Sequence, residues 1–126
     1  MVGVKRDCRQ LITLLTACAE KCDEYTQNLV SKHHCVKPAQ EVVLVSKNMI
    51  TICRDHIKEC KDVDCGEVCK ACIKACEKVV EKATACVDVC MGAGSDQDAK
   101  EVCTDCAKAC RDCMKACDDC MSKACS

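Results

Sequence analysis

The stretch EVCTDCAKACRDCMKACDDC (Glu101–Cys120) decides the fold of this chain. Its cysteines recur at alternating steps of three and four residues, at Cys103, Cys106, Cys110, Cys113, Cys117 and Cys120. This is the a/d spacing of helices that pack in a bundle, where leucine and other apolar residues normally lie. The stretch therefore predicts a helix whose buried face consists of thiols.

Three short connections divide the chain into four predicted helices. We place these at residues 5–32, 38–61, 65–91 and 95–124. Pro38 suits the first turn of the second helix, and Asp64 with Glu67 is a capping-box pattern at the start of the third. The segment Gly92-Ala93-Gly94 predicts the end of the third helix, and Ser95 is the predicted cap of the fourth.

Each predicted helix carries one unbroken row of a/d positions, and only Cys35 and Cys125 among the 19 cysteines lie off these rows. The first row is Cys8, Leu11, Leu15, Cys18, Cys22, Tyr25 and Leu29. The second is Ala39, Val42, Ser46, Met49, Cys53, His56 and Cys60. The third is Cys65, Cys69, Cys72, Cys76, Val79, Ala83, Cys86 and Cys90. The fourth extends the cysteines of the opening stretch to Ala99 and Ala124.

Short connections place neighbouring helices antiparallel. We therefore predict an all-α fold, an antiparallel up-down-up-down four-helix bundle with a cysteine-lined core, formed by residues 1–126 as a single domain. The chain has no Phe or Trp and a single Tyr, so thiols take the place of the bulky groups that usually fill a bundle. Because a thiol buries less apolar area than leucine, we expect a bound ligand to supply part of the stability.

Six pairs of cysteines stand four residues apart on one helix: Cys18/Cys22, Cys65/Cys69, Cys72/Cys76, Cys86/Cys90, Cys106/Cys110 and Cys113/Cys117. Such residues have Cβ atoms about 5–6 Å apart, which is wider than the roughly 3.5–4.5 Å of a disulfide. A linear sulfur–metal–sulfur unit with bonds of about 2.3 Å spans about 4.6 Å and fits better. Soft thiolate ligands select Cu(I).

Charge gives a second reason to expect a monovalent ion. The formal net charge is −1 with neutral thiols, and ionising all 19 cysteines inside the bundle would be prohibitive without compensation. One monovalent cation per thiolate restores the original charge, whereas a divalent ion held by four thiolates leaves an excess of negative charge at every site. The pattern therefore favours Cu(I).

The whole chain resembles the copper storage proteins, Cu(I)-binding four-helix bundles of bacteria, and specifically their cytosolic branch, in its four helices, its inward C-x-x-x-C pairs and its scarcity of aromatic residues. The resemblance implies high-capacity Cu(I) storage with multiple ions per protomer, a homotetramer, and a copper chaperone or efflux partner. It also implies these metal ligands: Cys8, Cys18, Cys22, Cys53, Cys60, Cys65, Cys69, Cys72, Cys76, Cys86, Cys90, Cys103, Cys106, Cys110, Cys113, Cys117 and Cys120. Cys8, Cys53, Cys60, Cys103 and Cys120 would share copper across helices.

Two further candidates lie outside that cysteine set. His56 occupies an a/d position between two cysteines, which favours a metal ligand over an ordinary buried histidine. Cys35 follows His33 and His34 in the turn before Pro38, at the end of the bundle opposite Cys8. It is either a metal ligand at the mouth of the bundle or an exposed loop thiol.

The distribution of residues also predicts how the bundle loads and assembles. We expect cysteines to be dense at the end that holds Cys8 and sparse at the end that holds Tyr25. The first two helices carry more apolar residues than one row can bury, which predicts a subunit interface there: Ile12, Leu14, Val43, Leu44, Ile50 and Ile57.

Other functions receive less support. A metallothionein-like Zn(II) or Cd(II) buffer is the main alternative and requires four thiolates to converge. A structural module with an inert thiol core also remains open. The chain lacks ferredoxin spacing and any nucleophile–base pattern, so we expect no catalysis. A net charge near zero argues against nucleic acid and membrane partners. Residues 1–10 show no signal-peptide pattern, so we expect a cytoplasmic location, where thiols stay reduced.

Overall fold

The computed structural model describes residues 4–92 and 94–124. These residues form four α-helices and one short 3₁₀ helix, Lys32–Cys35. The α-helices are α1 (Val4–Thr26), α2 (Val36–Glu59), α3 (Val63–Met91) and α4 (Asp96–Lys123). The predicted all-α four-helix bundle with a cysteine-rich core is confirmed.

The helices form a ring in chain order. α1 packs against α4, α4 against α3, and α3 against α2, while the contact that closes the ring between α1 and α2 is the smallest. Helices α3 and α4 are antiparallel, as their sulfur contacts demonstrate. Cys76 lies 3.7 Å from Cys113, and Cys86, further along α3, lies 3.6 Å from Cys103, which is earlier in α4.

The core consists mainly of the predicted a/d rows. Every predicted a/d position is buried except Leu29, which is 68% exposed, and Cys60, which is half-buried at the residue after α2. Lysine and acidic residues cover the outer faces of the helices, where Lys108 and Asp112 form one i,i+4 ion pair. The 3–4 periodicity therefore identified the buried face of each helix.

Helix α1 ends at Thr26, six residues before the predicted end at Lys32. Asn28 adopts a left-handed conformation with φ 63°. Its backbone N–H donates to Tyr25 O, and the N–H of Leu29 donates to Glu24 O, which together form a Schellman C-cap. This cap turns the chain out of the helix, so the prediction that Leu29 is a core residue was wrong.

The starts of α3 and α4 differ in how well the sequence predicted them. Ser95 caps α4 as predicted, since its side chain accepts from the backbone N–H of Asp98 at 3.1 Å. The predicted cap of α3 at Asp64 was wrong, because Asp62 is the N-cap and accepts from the N–H of Cys65 at 2.9 Å. Helix α2 begins at Val36, which still leaves Pro38 in its first turn.

Among the described residues, no helix combines the length and the apolar composition that crossing a membrane requires.

Candidate metal centre

The sulfur atoms of the core cysteines lie in groups of three. Within each group the sulfurs are within 4.8 Å of one another, and every member is buried. Five of these groups are Cys8/Cys72/Cys117, Cys53/Cys72/Cys120, Cys18/Cys106/Cys110, Cys22/Cys86/Cys106 and Cys22/Cys35/Cys103. Each draws on at least two helices or on a helix and the 3₁₀ segment, so the tertiary fold assembles the groups.

A further close set joins the C-terminal end of α3 to the N-terminal part of α4. The sulfur of Cys103 lies 3.6 Å from Cys86 and 3.6 Å from Cys90, and the latter two are 4.0 Å apart. Three sulfurs around one ion with bonds of about 2.3 Å would lie about 4.0 Å apart. This set therefore has nearly the spacing that three-coordinate thiolate binding needs.

Several cysteines belong to more than one group. Cys72, Cys22 and Cys106 each take part in two of the five groups named above. A thiolate that bridges two ions lowers the number of anionic ligands per ion. The arrangement thus suits a polynuclear thiolate cluster better than a series of isolated mononuclear sites.

The closest sulfur contacts run between helices, which differs from the predicted within-helix pairing. Cys18 lies 3.8 Å from Cys106 across the α1–α4 interface, and Cys76 lies 3.7 Å from Cys113 across the α3–α4 interface. Cys86/Cys90 is a within-helix pair with a comparable distance, 4.0 Å. Spacing along one helix cannot reveal these contacts, because they depend on how far one helix is offset from its neighbour.

His56 lies against the thiol core at the end of the bundle that contains Cys8. Its Nε2 is 3.1 Å from the sulfur of Cys65, and its Nδ1 is buried without a hydrogen-bond partner. The imidazole is 5% exposed. An imidazole and a thiol that lie side by side are a suitable pair of ligands for a soft metal ion.

Cys35 is a buried member of the core. The 3₁₀ helix directs its sulfur inward, where it groups with Cys22 and Cys103 and lies 3.6 Å from Lys21 O. His33 and His34 remain exposed. Of the two alternatives left open by the sequence, the exposed loop thiol is therefore wrong. Cys125 lies outside the described residues.

The remaining candidate cysteines lie toward the end that contains Cys8. Cys69 is fully buried, with Cys65 and Cys120 near its sulfur. Cys60 is half-buried at the end of α2. The cysteines are distributed more evenly than expected, because Cys18, Cys22 and Cys35 join those of α3 and α4 at the other end.

Hydrogen bonds between thiols raise the pKa of some core cysteines and lower the pKa of others. Contact with Cys117 and then Cys76 lowers the pKa of Cys113 to about 5, and contact with Cys110 lowers that of Cys106 to about 6. The thiols that donate these hydrogen bonds show the opposite effect. Contact with Cys113 raises the pKa of Cys76 and that of Cys117. Some core thiols are thus ready to bind a cation as thiolates near neutral pH, while their partners must release a proton.

One polar residue in the core was not singled out from the sequence. Ser46 is fully buried on α2, and its hydroxyl has no hydrogen-bond partner. The available signal was a serine at an a/d position of a row that otherwise consists of apolar residues, cysteines and one histidine.

No protein-family model, curated protein or solved structure matches this chain. The site must therefore be interpreted from its own chemistry.

Proposed function

We propose that this protein stores or buffers Cu(I), with multiple ions per protomer held by the core cysteines and no catalysis. The observation that carries the proposal is the set of buried three-sulfur groups that share cysteines. Thiolates select soft ions, and Cu(I) accepts the two or three sulfur ligands that each group offers.

Charge supports a monovalent cargo. The interior is closed to water, since nearly all described cysteines are fully buried. Charges left uncompensated there are costly. One Cu(I) ion for each thiolate leaves no excess charge in the core, and sharing of Cys72, Cys22 and Cys106 keeps the ratio of ions to sulfurs near unity.

A metallothionein-like Zn(II) or Cd(II) buffer is the second candidate. Zinc favours four ligands in a tetrahedral arrangement, with zinc–sulfur bonds of about 2.3 Å. The groups named above each contain three sulfurs, and a fourth would have to come from a neighbouring group. Water or His56 could complete a site, but each four-thiolate zinc site would retain negative charge in the core.

The remaining parts of the proposal follow from the resemblance to copper storage proteins and from the surface. We expect a cytoplasmic homotetramer that exchanges copper with a chaperone or an efflux partner. The apolar residues of α1 and α2 that remain accessible, such as the half-buried Leu14 and the exposed Leu44, are the proposed interface. Light scattering after size-exclusion chromatography tests this, and a monomer at micromolar concentration contradicts it.

The experiment that tests the proposed function is an anaerobic titration of the fully reduced protein with Cu(I) in the presence of a coloured Cu(I) chelator. We expect the protein to withhold copper from the chelator up to a stoichiometry close to its number of cysteines. The same titration with Zn(II) is the comparison. Saturation at a few ions, or retention of zinc in preference to copper, contradicts the proposal.

A further inference from the structure

The centre of the bundle contains few thiols, although both ends contain many. Leu15 lies seven residues after Cys8 on α1, and Cys110 lies seven before its partner Cys117 on α4. Seven residues are two helical turns, and the helices are antiparallel. Leu15 and Cys110 therefore lie at the same level of the bundle.

The same reasoning places one residue of α2 and one of α3 at that level. Ser46 lies seven residues before Cys53, and Val79 lies seven after Cys72, which groups with Cys53. Val79 is also three residues after Cys76, as Cys110 is three before Cys113, and Cys76 contacts Cys113. We call Leu15, Ser46, Val79 and Cys110 the central layer.

All four residues of the central layer are fully buried, and Cys110 supplies its single thiol. Leu15 and Val79 offer no donor atom, and the Ser46 hydroxyl is a hard oxygen that suits Cu(I) poorly. The layer therefore separates two sets of soft ligands among the described residues. Only α4 continues its row of thiols through it.

The two sets are defined by their sulfur contacts. The Cys8 compartment contains Cys8, Cys53, His56, Cys65, Cys69, Cys72, Cys76, Cys113, Cys117 and Cys120. The Cys22 compartment contains Cys18, Cys22, Cys35, Cys86, Cys90, Cys103 and Cys106. Every three-sulfur group named above lies within one compartment, except that Cys110 joins the group of Cys18 and Cys106.

We propose that the protein holds its copper in two pools, and that Cys110, followed by Cys113, is the thiol route by which ions pass between them. Cys110 contacts the Cys22 compartment through Cys18 and Cys106. Cys113 follows three residues later on the same helix face, with its Cβ about 5–6 Å away, and contacts Cys76. This inference rests on the proposed Cu(I) function.

Transfer along this route is ligand exchange without a redox change. At each step one copper–sulfur bond forms as another breaks. The proton of the receiving thiol passes to the thiolate that loses the ion. Copper remains Cu(I) throughout, so the step needs no oxidant or reductant.

The test compares how fast the two compartments empty. The fully loaded, isotope-labelled protein is mixed anaerobically with excess Cu(I) chelator, and the amide signals of the cysteines in each compartment are followed by NMR. In the wild type, exchange through Cys110 is expected to make both compartments empty with one common time course. That time course should not depend on protein concentration.

Cys110→Val fills the layer without a thiol and is expected to separate the two time courses by about tenfold in rate. Cys69→Val is the matched control, because it also removes one buried thiol and therefore lowers the copper capacity, but it does so in the outer part of the Cys8 compartment. The two time courses should stay together in this variant although its capacity falls. Ser46→Cys replaces the unpartnered hydroxyl by a thiol in the same layer. The double variant Ser46→Cys/Cys110→Val is expected to restore a common time course.

Separate time courses in the wild type, or a common one in a folded Cys110→Val variant, would overturn the inference. Circular dichroism establishes that the variants are folded, and rescue by Ser46→Cys excludes a merely structural effect of Cys110→Val. Failure of the proposed function looks different, because the wild type would then not withhold copper from the chelator at all. The two failures are therefore distinguishable.

Discussion

At the scale of single residues, His56 is a buried side chain whose polar contacts are only half complete. Its Nε2 faces Cys65, and its Nδ1 is buried without a hydrogen-bond partner. An unpaired buried polar atom costs about 1–3 kcal/mol, and the bundle could avoid that cost with an apolar residue. We therefore interpret His56 as a metal ligand at the end of the core.

The prediction for His56 concerns capacity. We expect His56→Leu to lower the Cu(I) stoichiometry by a single ion, because the ion shared with Cys65 loses one of its ligands. Cys65→Ala should remove the same ion, so the double variant should lose no more than either single variant. Anaerobic chelator titration measures this. An unchanged capacity in folded His56→Leu contradicts the role of His56, as does an additive loss in the double variant.

At the scale of helices, the sequence predicted the buried face of each helix better than the residues at which the helix begins and ends. The buried face of α4 follows from its row of cysteines, because a 3–4 repeat permits one helical face only. The end of α1 depends on a left-handed conformation at Asn28, which asparagine adopts only in some contexts. Two acidic residues, Asp62 and Asp64, lie near the start of α3. The capping-box pattern favoured Asp64 as the N-cap, because a glutamate follows it three residues later.

The two acidic residues give a matched test of the cap. Asp62→Ala removes the acceptor for the N–H of Cys65 and is expected to lower the free energy of unfolding by about 1 kcal/mol. Asp64→Ala removes only a charge near the positive end of the helix dipole and should cost less, about 0.3–1 kcal/mol. Urea unfolding of the reduced, metal-free variants measures both. A larger loss for Asp64→Ala would contradict the observed cap.

At the scale of the whole molecule, the grouping of the sulfurs could not be predicted. The a/d rows show which cysteines face inward, but the partners of each depend on the axial offset of its helix. Cys72 meets Cys117 and Cys120 of α4 as well as Cys53 of α2, and these lie far apart in the sequence. Cys35 joins the core because the 3₁₀ helix turns its sulfur inward. No periodic pattern in the sequence predicts this position.

The thiol core also makes the stability of the metal-free protein depend on pH. Hydrogen bonds to neighbouring thiols, together with burial, raise the pKa values of several core cysteines well above the ordinary range: Cys8, Cys22, Cys53, Cys76 and Cys117. In the unfolded chain these thiols lose protons near pH 8.5. Above that pH the folded state therefore binds more protons than the unfolded state, and the free energy of unfolding must fall as the pH rises.

We expect the reduced, metal-free protein to lose stability steadily from about pH 9 to about pH 10, with each unit of pKa difference at one thiol worth about 1.4 kcal/mol. Five core thiols have lowered pKa values instead: Cys72, Cys103, Cys106, Cys113 and Cys120. They are ionised in the folded state and, from about pH 9 upward, largely ionised in the unfolded chain as well, so they do not change the sign over this range. The Cu(I)-loaded protein should be far less sensitive, because its ligands have already released their protons. Urea unfolding under anaerobic conditions, followed by circular dichroism, measures both forms. A metal-free protein whose stability is constant or rises over this range would show that the core thiols do not retain their protons, and copper binding would then release fewer protons than the buried groups imply.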